Sequence, residues 1–346
     1  MRVLLTGHTG YIGTVLARLL VQSGFDVVGL DAGLFRGCIL GDPPAPIPEL
    51  RRDVREVEAE DLRGFDAVLH LAALSNDPLG NLDAENTYAI NHLASVRLAR
   101  LAKQAGVPRF LCASSCSLYG VAEHDGLLDE DAPFHPLTAY GVSKVRVERD
   151  VAPLADDTFS PVFLRNATAY GYSPRLRADL VVNNLVGYAC TTGEILIQSD
   201  GTPWRPLVHV EDIGRAFLAV LEAPREAVHG RAFNVGSSSE NHRISDLARM
   251  VQAVVPGSRV RYAEGGGPDP RSYRVNCDRL RAAVPAFRPR WTVRDGMVEL
   301  ADAYRRFGLT AEDFLGPKFL RIGQIEKLRH EGRLDAALRW TNGDRP

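Results

Sequence analysis

The chain has no excess of either charge: 41 Lys and Arg stand against 43 Asp and Glu, a formal net charge of −2. That balance gives no electrostatic reason to expect nucleic acid or a membrane surface as a partner. No apolar run approaches the roughly 20 residues that a membrane-crossing helix requires. The first residues run directly into a strand-like segment, without a basic n-region or a cleavage site. Five cysteines without paired spacing point to reduced thiols in a cytoplasm rather than a disulfide framework. Nine histidines form neither HExxH nor a Cys/His zinc spacing, so no metal site is expected. Internal repeats and long low-complexity tracts are also missing. What remains, 346 residues at 45% hydrophobic and 24% charged, is ordinary for a globular protein of one large domain or two modest ones.

The first half has a clear rhythm. Strand-like runs recur at 3–5, 27–30, 67–71, 110–113 and 162–164 with helical segments between them, which predicts a parallel, doubly wound sheet. Four prolines between Pro43 and Pro48 interrupt it and cannot pair as a central strand, so this stretch is expected as a surface loop. The first strand leads into Gly7-His8-Thr9-Gly10-Tyr11-Ile12-Gly13, a GxxGxxG loop, then into a stretch with Ile12, Leu16, Leu19 and Leu20 on one side. Glycines there permit the turn and let the backbone approach a pyrophosphate at a helix N-terminus. The second strand ends at Asp31, which can accept hydrogen bonds from an adenosine ribose diol and would repel a 2′-phosphate. Alone the glycines are a weak signal; placed between strand and helix, with the acid about 20 residues on, they are a strong one.

Tyr140 and Lys144 stand at i and i+4, so on a helix they share a face. A free tyrosine has a pKa near 10 and is a poor base at neutral pH. A neighbouring ammonium stabilises the phenolate and lets its oxygen take a proton from a substrate hydroxyl. Ser114-Ser115 lies upstream, and a serine hydroxyl can hold the same substrate oxygen.

Together these residues resemble the extended short-chain dehydrogenase/reductase family, especially its nucleotide-sugar epimerases and dehydratases, over roughly residues 1 to 310. The resemblance implies a Rossmann-type α/β fold with a smaller, discontinuous α/β substrate-binding lobe. Its expected boundaries are 1–165 for the NAD-binding domain with a return segment at about 207–236, then 166–206 and 237–315 for the lobe. Residues 316–346 are expected as a helical tail. In the cofactor site the resemblance places Gly7, Gly10, Tyr11, Ile12, Gly13, Asp31, Asp53, Val54, Leu71, Ala72, Ala73, Asn91 and Ser114, with Tyr140 and Lys144 also on the nicotinamide side. It assigns catalysis to Ser115, Tyr140 and Lys144. For substrate it implies Ser75, Ser115, Ser117, Thr168, Asn184, Arg205 and Arg271, with Arg274 as the alternative to Arg271. Guanidinium suits a diphosphate because its fork donates two hydrogen bonds. A homodimer through the helices around 85–105 and 139–153 is implied as well.

The strand around Ser115 separates reactions. Relatives that remove water across C5–C6 of a sugar carry an Asp-Glu pair immediately after the Ser/Thr, and here Cys116 and Ser117 stand there. A catalytic cysteine in related enzymes sits two residues before the strand's tyrosine, whereas Cys116 is three before Tyr119, so Cys116 is read as a small buried residue. What remains suits hydride removal from a carbinol and its return to the other face of the ketone. The expected function is an NAD-dependent nucleotide-sugar epimerase, most often acting at C4. Its rivals are a dehydrogenase or 4-ketoreductase on a similar sugar, and a dinucleotide-sensing protein without turnover.

Overall fold

Val3, Leu4 and Leu5 are all fully buried, and they alternate: Val3 and Leu5 enter one core, Leu4 the other. Side chains of a strand point to opposite faces with period 2, so a run apolar at every position needs cover on both sides. That cover is what the computed structural model provides; it describes residues 1–75, 83–121, 126–265, 267 and 269–341. Seven parallel strands form the central sheet: β1 (Arg2–Thr6), β2 (Asp26–Asp31), β3 (Glu49–Arg51), β4 (Ala67–His70), β5 (Arg109–Ser115), β6 (Ser160–Asn166) and β7 (Ala232–Val235). Their spatial order is β7-β6-β5-β4-β1-β2-β3. The order reverses at β1, and the crevice beyond the carboxyl ends of β1 and β4 is where such sheets take their ligands.

Helix α1 (Tyr11–Gln22) follows the glycine loop; its Leu16 and Leu20 join the sheet core, while Tyr11, Val15 and Leu19 pack on Val210. The opposite face is covered by α2 (Ala94–Gln104) and α3 (Ala139–Val151), through Leu98, Ala99, Val147 and Val151. Helix α3 starts at Thr138, whose Oγ1 accepts the Gly141 N–H at 3.1 Å and so caps an otherwise unpaired donor. The lobe has its own core, built from helices Val181–Thr192, Ile244–Val254 and Val293–Arg306 with two small sheets.

Two details differ from the sequence reading. Residues Leu207–His209 of the expected return segment pair with Thr168–Tyr170 in a three-stranded lobe sheet. The return to the central sheet begins with α4 (Val210–Glu222), which packs on α1, and ends with β7. The C-terminal segment is also no loose tail. Beyond α5 (Arg321–His330), Leu334 and Leu338 join Ile325 and Leu328 in the core that covers β2 and β4. Burying each leucine or isoleucine contributes roughly 1.5–3 kcal/mol relative to exposure. Four such residues dock a segment whose charged background hid its apolar face. Residues 342–346 lie outside the described residues.

Candidate active site

A cavity of about 690 Å³ opens at the β1/β4 reversal and reaches into the lobe. Gly7 holds φ +74°, a conformation that L side chains rarely adopt, and a Cβ there would stand 2.8 Å from the Ala72 nitrogen. A Cβ on Gly13 would meet the Gly7 carbonyl oxygen at 2.0 Å. The loop is thus bare backbone at the start of α1, a cradle shaped for a diphosphate. Asp31 fixes it from the side, accepting the Thr9 N–H at 3.1 Å and the Gly33 N–H at 2.7 Å. Val54, Leu71, Ala72, Ala73 and Ser75 also line the cavity. Asp53 does so with its carboxylate turned onto Arg55, at 2.9 and 2.6 Å. Burial opposes that charge, but Arg55 outweighs it and holds the Asp53 carboxyl below the usual range.

Tyr11 lines the cavity too, and its side chain does something more. Its hydroxyl donates to the Gly171 carbonyl at 2.6 Å and lies 3.2 Å from the Asn183 amide nitrogen. The Ser173 hydroxyl donates to the Tyr11 carbonyl at 2.8 Å. Burial pushes the Tyr11 phenol far above its ordinary pKa, so it stays a neutral donor. One residue therefore bolts the start of α1 to the lobe.

Asn91 stands elsewhere than the resemblance implied. It is 1% exposed, does not line the cavity, and spends its amide on the Leu74 backbone and the Ser143 hydroxyl. It ties the loop after β4 to α3 from a layer behind. Ser114 lines the cavity, but its hydroxyl is turned onto Glu148.

Ser115, Ser117, Tyr140 and Lys144 all line the cavity. The Ser115 hydroxyl donates to Ser117 Oγ and accepts the Ser117 N–H, both at 3.1 Å. Lys144 is 6% exposed; its Nζ donates to the Ala113 carbonyl at 2.7 Å and stands 5.6 Å from the centre of the Tyr140 ring. An ammonium so placed stabilises phenolate charge. Cys116 is buried away from the cavity, its thiol 3.2 Å from the Arg165 carbonyl, and burial pushes its pKa well up.

On the lobe side, Thr168, Asn184, Arg205 and Arg271 line the same cavity. Asp269 holds both arginines: Arg205 at 2.5 Å, and Arg271 at 3.0 and 2.7 Å. Arg274 lies instead over the Trp204 ring, 5.0 Å from its centre. Further lining residues outside any motif include Arg177, Asp179, Arg321 and Leu338. The Arg177–Asp179 pair is two residues apart in sequence and closes at 2.7 Å, a spacing too common to single out. Arg321 and Leu338 come from the C-terminal segment.

A model of the NAD dependent epimerase/dehydratase family matches residues 3–236. A UDP-glucose 4-epimerase of Neisseria gonorrhoeae is 31% identical over 290 residues, covering 73% of this chain and 82% of that protein. Among solved structures, MoeE5 in complex with UDP-glucuronic acid and NAD is 30% identical with a TM-score of 0.77, covering 88% of this chain and 99% of that one. TunA, an NAD-dependent NDP-hexosamine 5,6-dehydratase, is 25% identical with a TM-score of 0.79, covering 88% and 98%.

Proposed function

Because this chain belongs to the NAD dependent epimerase/dehydratase family, with NAD as its cofactor, we propose that it is an epimerase of nucleotide-sugars acting at one sugar carbinol, C4. The observation that carries this reading is the state of the carboxylates. Among the described residues that line the cavity, Asp31, Asp53, Asp179 and Asp269 are each engaged: with backbone N–H groups, with Arg55, with Arg177, and with Arg205 and Arg271. Beside Ser115 and Tyr140 the lining is hydroxyl, phenol and ammonium, which supports proton movement at a single hydroxyl rather than elimination of water.

In this reading the glycine loop and Asp31 hold the dinucleotide. Bound NAD would supply a reversible hydride acceptor beside the substrate carbon. Ser115 holds the reacting oxygen by a hydrogen bond while Tyr140 removes its proton. Lys144 stabilises the negative charge that develops on the phenolic oxygen as the proton moves. Tyr140 would then return the proton to the same oxygen to regenerate the hydroxyl. Arg205 and Arg271 grip the substrate's diphosphate with planar, charge-assisted forks. We further infer a homodimer through α2 and α3 with the turn that precedes α2, where Leu93 is 60% exposed, and a cytoplasmic setting, which five free cysteines support.

The test is incubation of the purified protein with UDP- and dTDP-hexoses, with products read by NMR. A C4 epimer is expected, with no net NADH in solution. Tyr140→Phe should lose at least about 100-fold in rate, the contribution of a general base, and still bind NAD. A 4-keto-6-deoxy or 5,6-unsaturated sugar as the product would refute the epimerase reading.

A further inference from the structure

Arg175, Arg177 and Arg321 are 5%, 8% and 4% exposed; Arg175 and Arg177 both lie close enough to perturb Arg321, and Asp179 is the carboxylate beside Arg177 and Arg321. Their donors are only partly used. Arg177 donates to Asp179, to the Ser75 carbonyl at 3.1 Å and to the Ser75 hydroxyl at 3.2 Å. Arg321 donates through Nη2 to the Arg175 carbonyl at 3.2 Å, but its Nη1 is buried without a hydrogen-bond partner, as is Arg175 Nε. Burial, and after it the charge of Arg177, pushes the Arg321 guanidinium down to about 10. A buried cation and an orphaned donor are both costly unless an anion completes them.

The place of these groups indicates which anion. Strand β1 lies between β2 and β4 in the sheet, so the glycine loop lies between the loops that follow those strands. Arg321 stands 4.3 Å over the ring of Phe35, in the loop that follows β2 and its last residue Asp31. Arg177 holds Ser75, in the loop after β4 whose Ala72 packs on Gly7. The two guanidiniums therefore contact the loops on either side of the glycine loop, and both line the cavity with it. Arg205 and Arg271, gathered by Asp269, form a separate group in the lobe.

We propose that Arg321, supplied by the C-terminal segment and supported by Arg177, binds the diphosphate of the dinucleotide and closes the cofactor site over the glycine loop. Arg321 lies beyond residues 3–236, so this contact belongs to the part of the chain that the family model does not cover. The proposal rests on NAD as cofactor and not on the epimerase reaction. It is read as affinity without turnover, so the failure of either leaves the other standing.

The experiment is calorimetric binding of NAD, ADP and adenosine to wild type and Arg321→Met, with UDP titrated into protein saturated with NAD. A lost charge-assisted fork should weaken NAD and ADP by about 10- to 100-fold and leave adenosine and UDP within about 3-fold of wild type. NAD and ADP affinities within about 3-fold of wild type would overturn the proposal. So would a fall confined to UDP, which would assign Arg321 to the substrate, or an equal fall for adenosine, which would make its role packing. If Arg321→Met does not fold, Arg321→Lys keeps the charge and removes the fork. It should weaken NAD by roughly 3- to 10-fold with adenosine unchanged, and wild-type NAD affinity in that variant would equally overturn the proposal.

Discussion

Replacing Glu148 by Gln should cost this protein a large part of its stability. Glu148, on α3, accepts from Ser114 on β5 and from Arg165 on β6, with Arg165 Nε at 3.1 Å and Nη2 at 2.7 Å. Arg165 also donates to the Tyr119 hydroxyl at 3.1 Å and the Glu130 carbonyl at 2.8 Å. The two charged side chains are 8% and 6% exposed, so neither has water to fall back on. Glutamine keeps the volume and some hydrogen bonding but leaves the guanidinium charge buried without its counter-ion. Breaking such a pair from one side costs about 3–5 kcal/mol, against about 5–15 kcal/mol for the folding of a whole domain. Urea unfolding should show the midpoint falling with an unchanged slope. The double variant Glu148→Met, Arg165→Met removes both charges together and should be far less destabilised than the sum of the singles. A loss below about 1 kcal/mol for Glu148→Gln, or strict additivity in the double variant, would refute the view that this pair pins the helix of Tyr140 and Lys144 to the sheet.

NAD should bind more tightly than NADP by calorimetry, because Asp31 confronts a 2′-phosphate with like charge and Arg36 is clamped by Glu49 at 3.2 and 2.7 Å. The hydrogen bonds from Arg36 hold the Glu49 carboxyl down to about 2, so that clamp persists at any ordinary pH. Arg205→Ala should weaken nucleotide-sugar binding by roughly 10- to 100-fold with NAD affinity little changed, and a loss confined to NAD would place the arginine in the cofactor site. Stability should also fall in acid through His70, which is 2% exposed between Thr6 and Ser95. Burial, then the charge of Lys144, holds its pKa down to about 3 from an ordinary 6.5. Between those values the unfolded chain binds a proton that the folded protein refuses, so stability declines as pH drops from 6.5 toward 3, by up to about 1.4 kcal/mol per pH unit. Urea midpoints across that range should lose this part of the slope in His70→Asn; an unchanged slope would refute it.

The parallel sheet was legible because its signals are local. Val3-Leu4-Leu5 is apolar at every position, and Gly7 to Gly13 follows it immediately. The same holds for Tyr140 and Lys144, one helical turn apart, and for Ser115 at the end of β5; the structure brings Gly7, Gly10, Gly13, Ser115, Tyr140 and Lys144 to one cavity. What escaped sequence reading depends on distant partners. Arg321 meets the Arg175 carbonyl across 146 residues, and no spacing rule reaches that far. Leu207–His209 looked continuous with the helix that follows, yet these residues are claimed by Thr168–Tyr170, a pairing decided by tertiary packing. Asn91 carries a residue type suited to ligand contact, and only the position of Leu74 shows that its amide is already spent.

Tyr11 gives the two ligand sites a common fate. In the proposed function its backbone helps cradle the dinucleotide, while its hydroxyl and carbonyl hold Gly171, Asn183 and Ser173 in the lobe that would grip the nucleotide-sugar. A lobe so fastened cannot swing outward without pulling on the first turn of α1. Any free energy that one ligand gains by settling that junction is therefore available to the second, and thermodynamic reciprocity makes the debt equal in both directions. Under the proposed function, mutual strengthening of dinucleotide and nucleotide-sugar binding would then run through a single phenol rather than a separate gate.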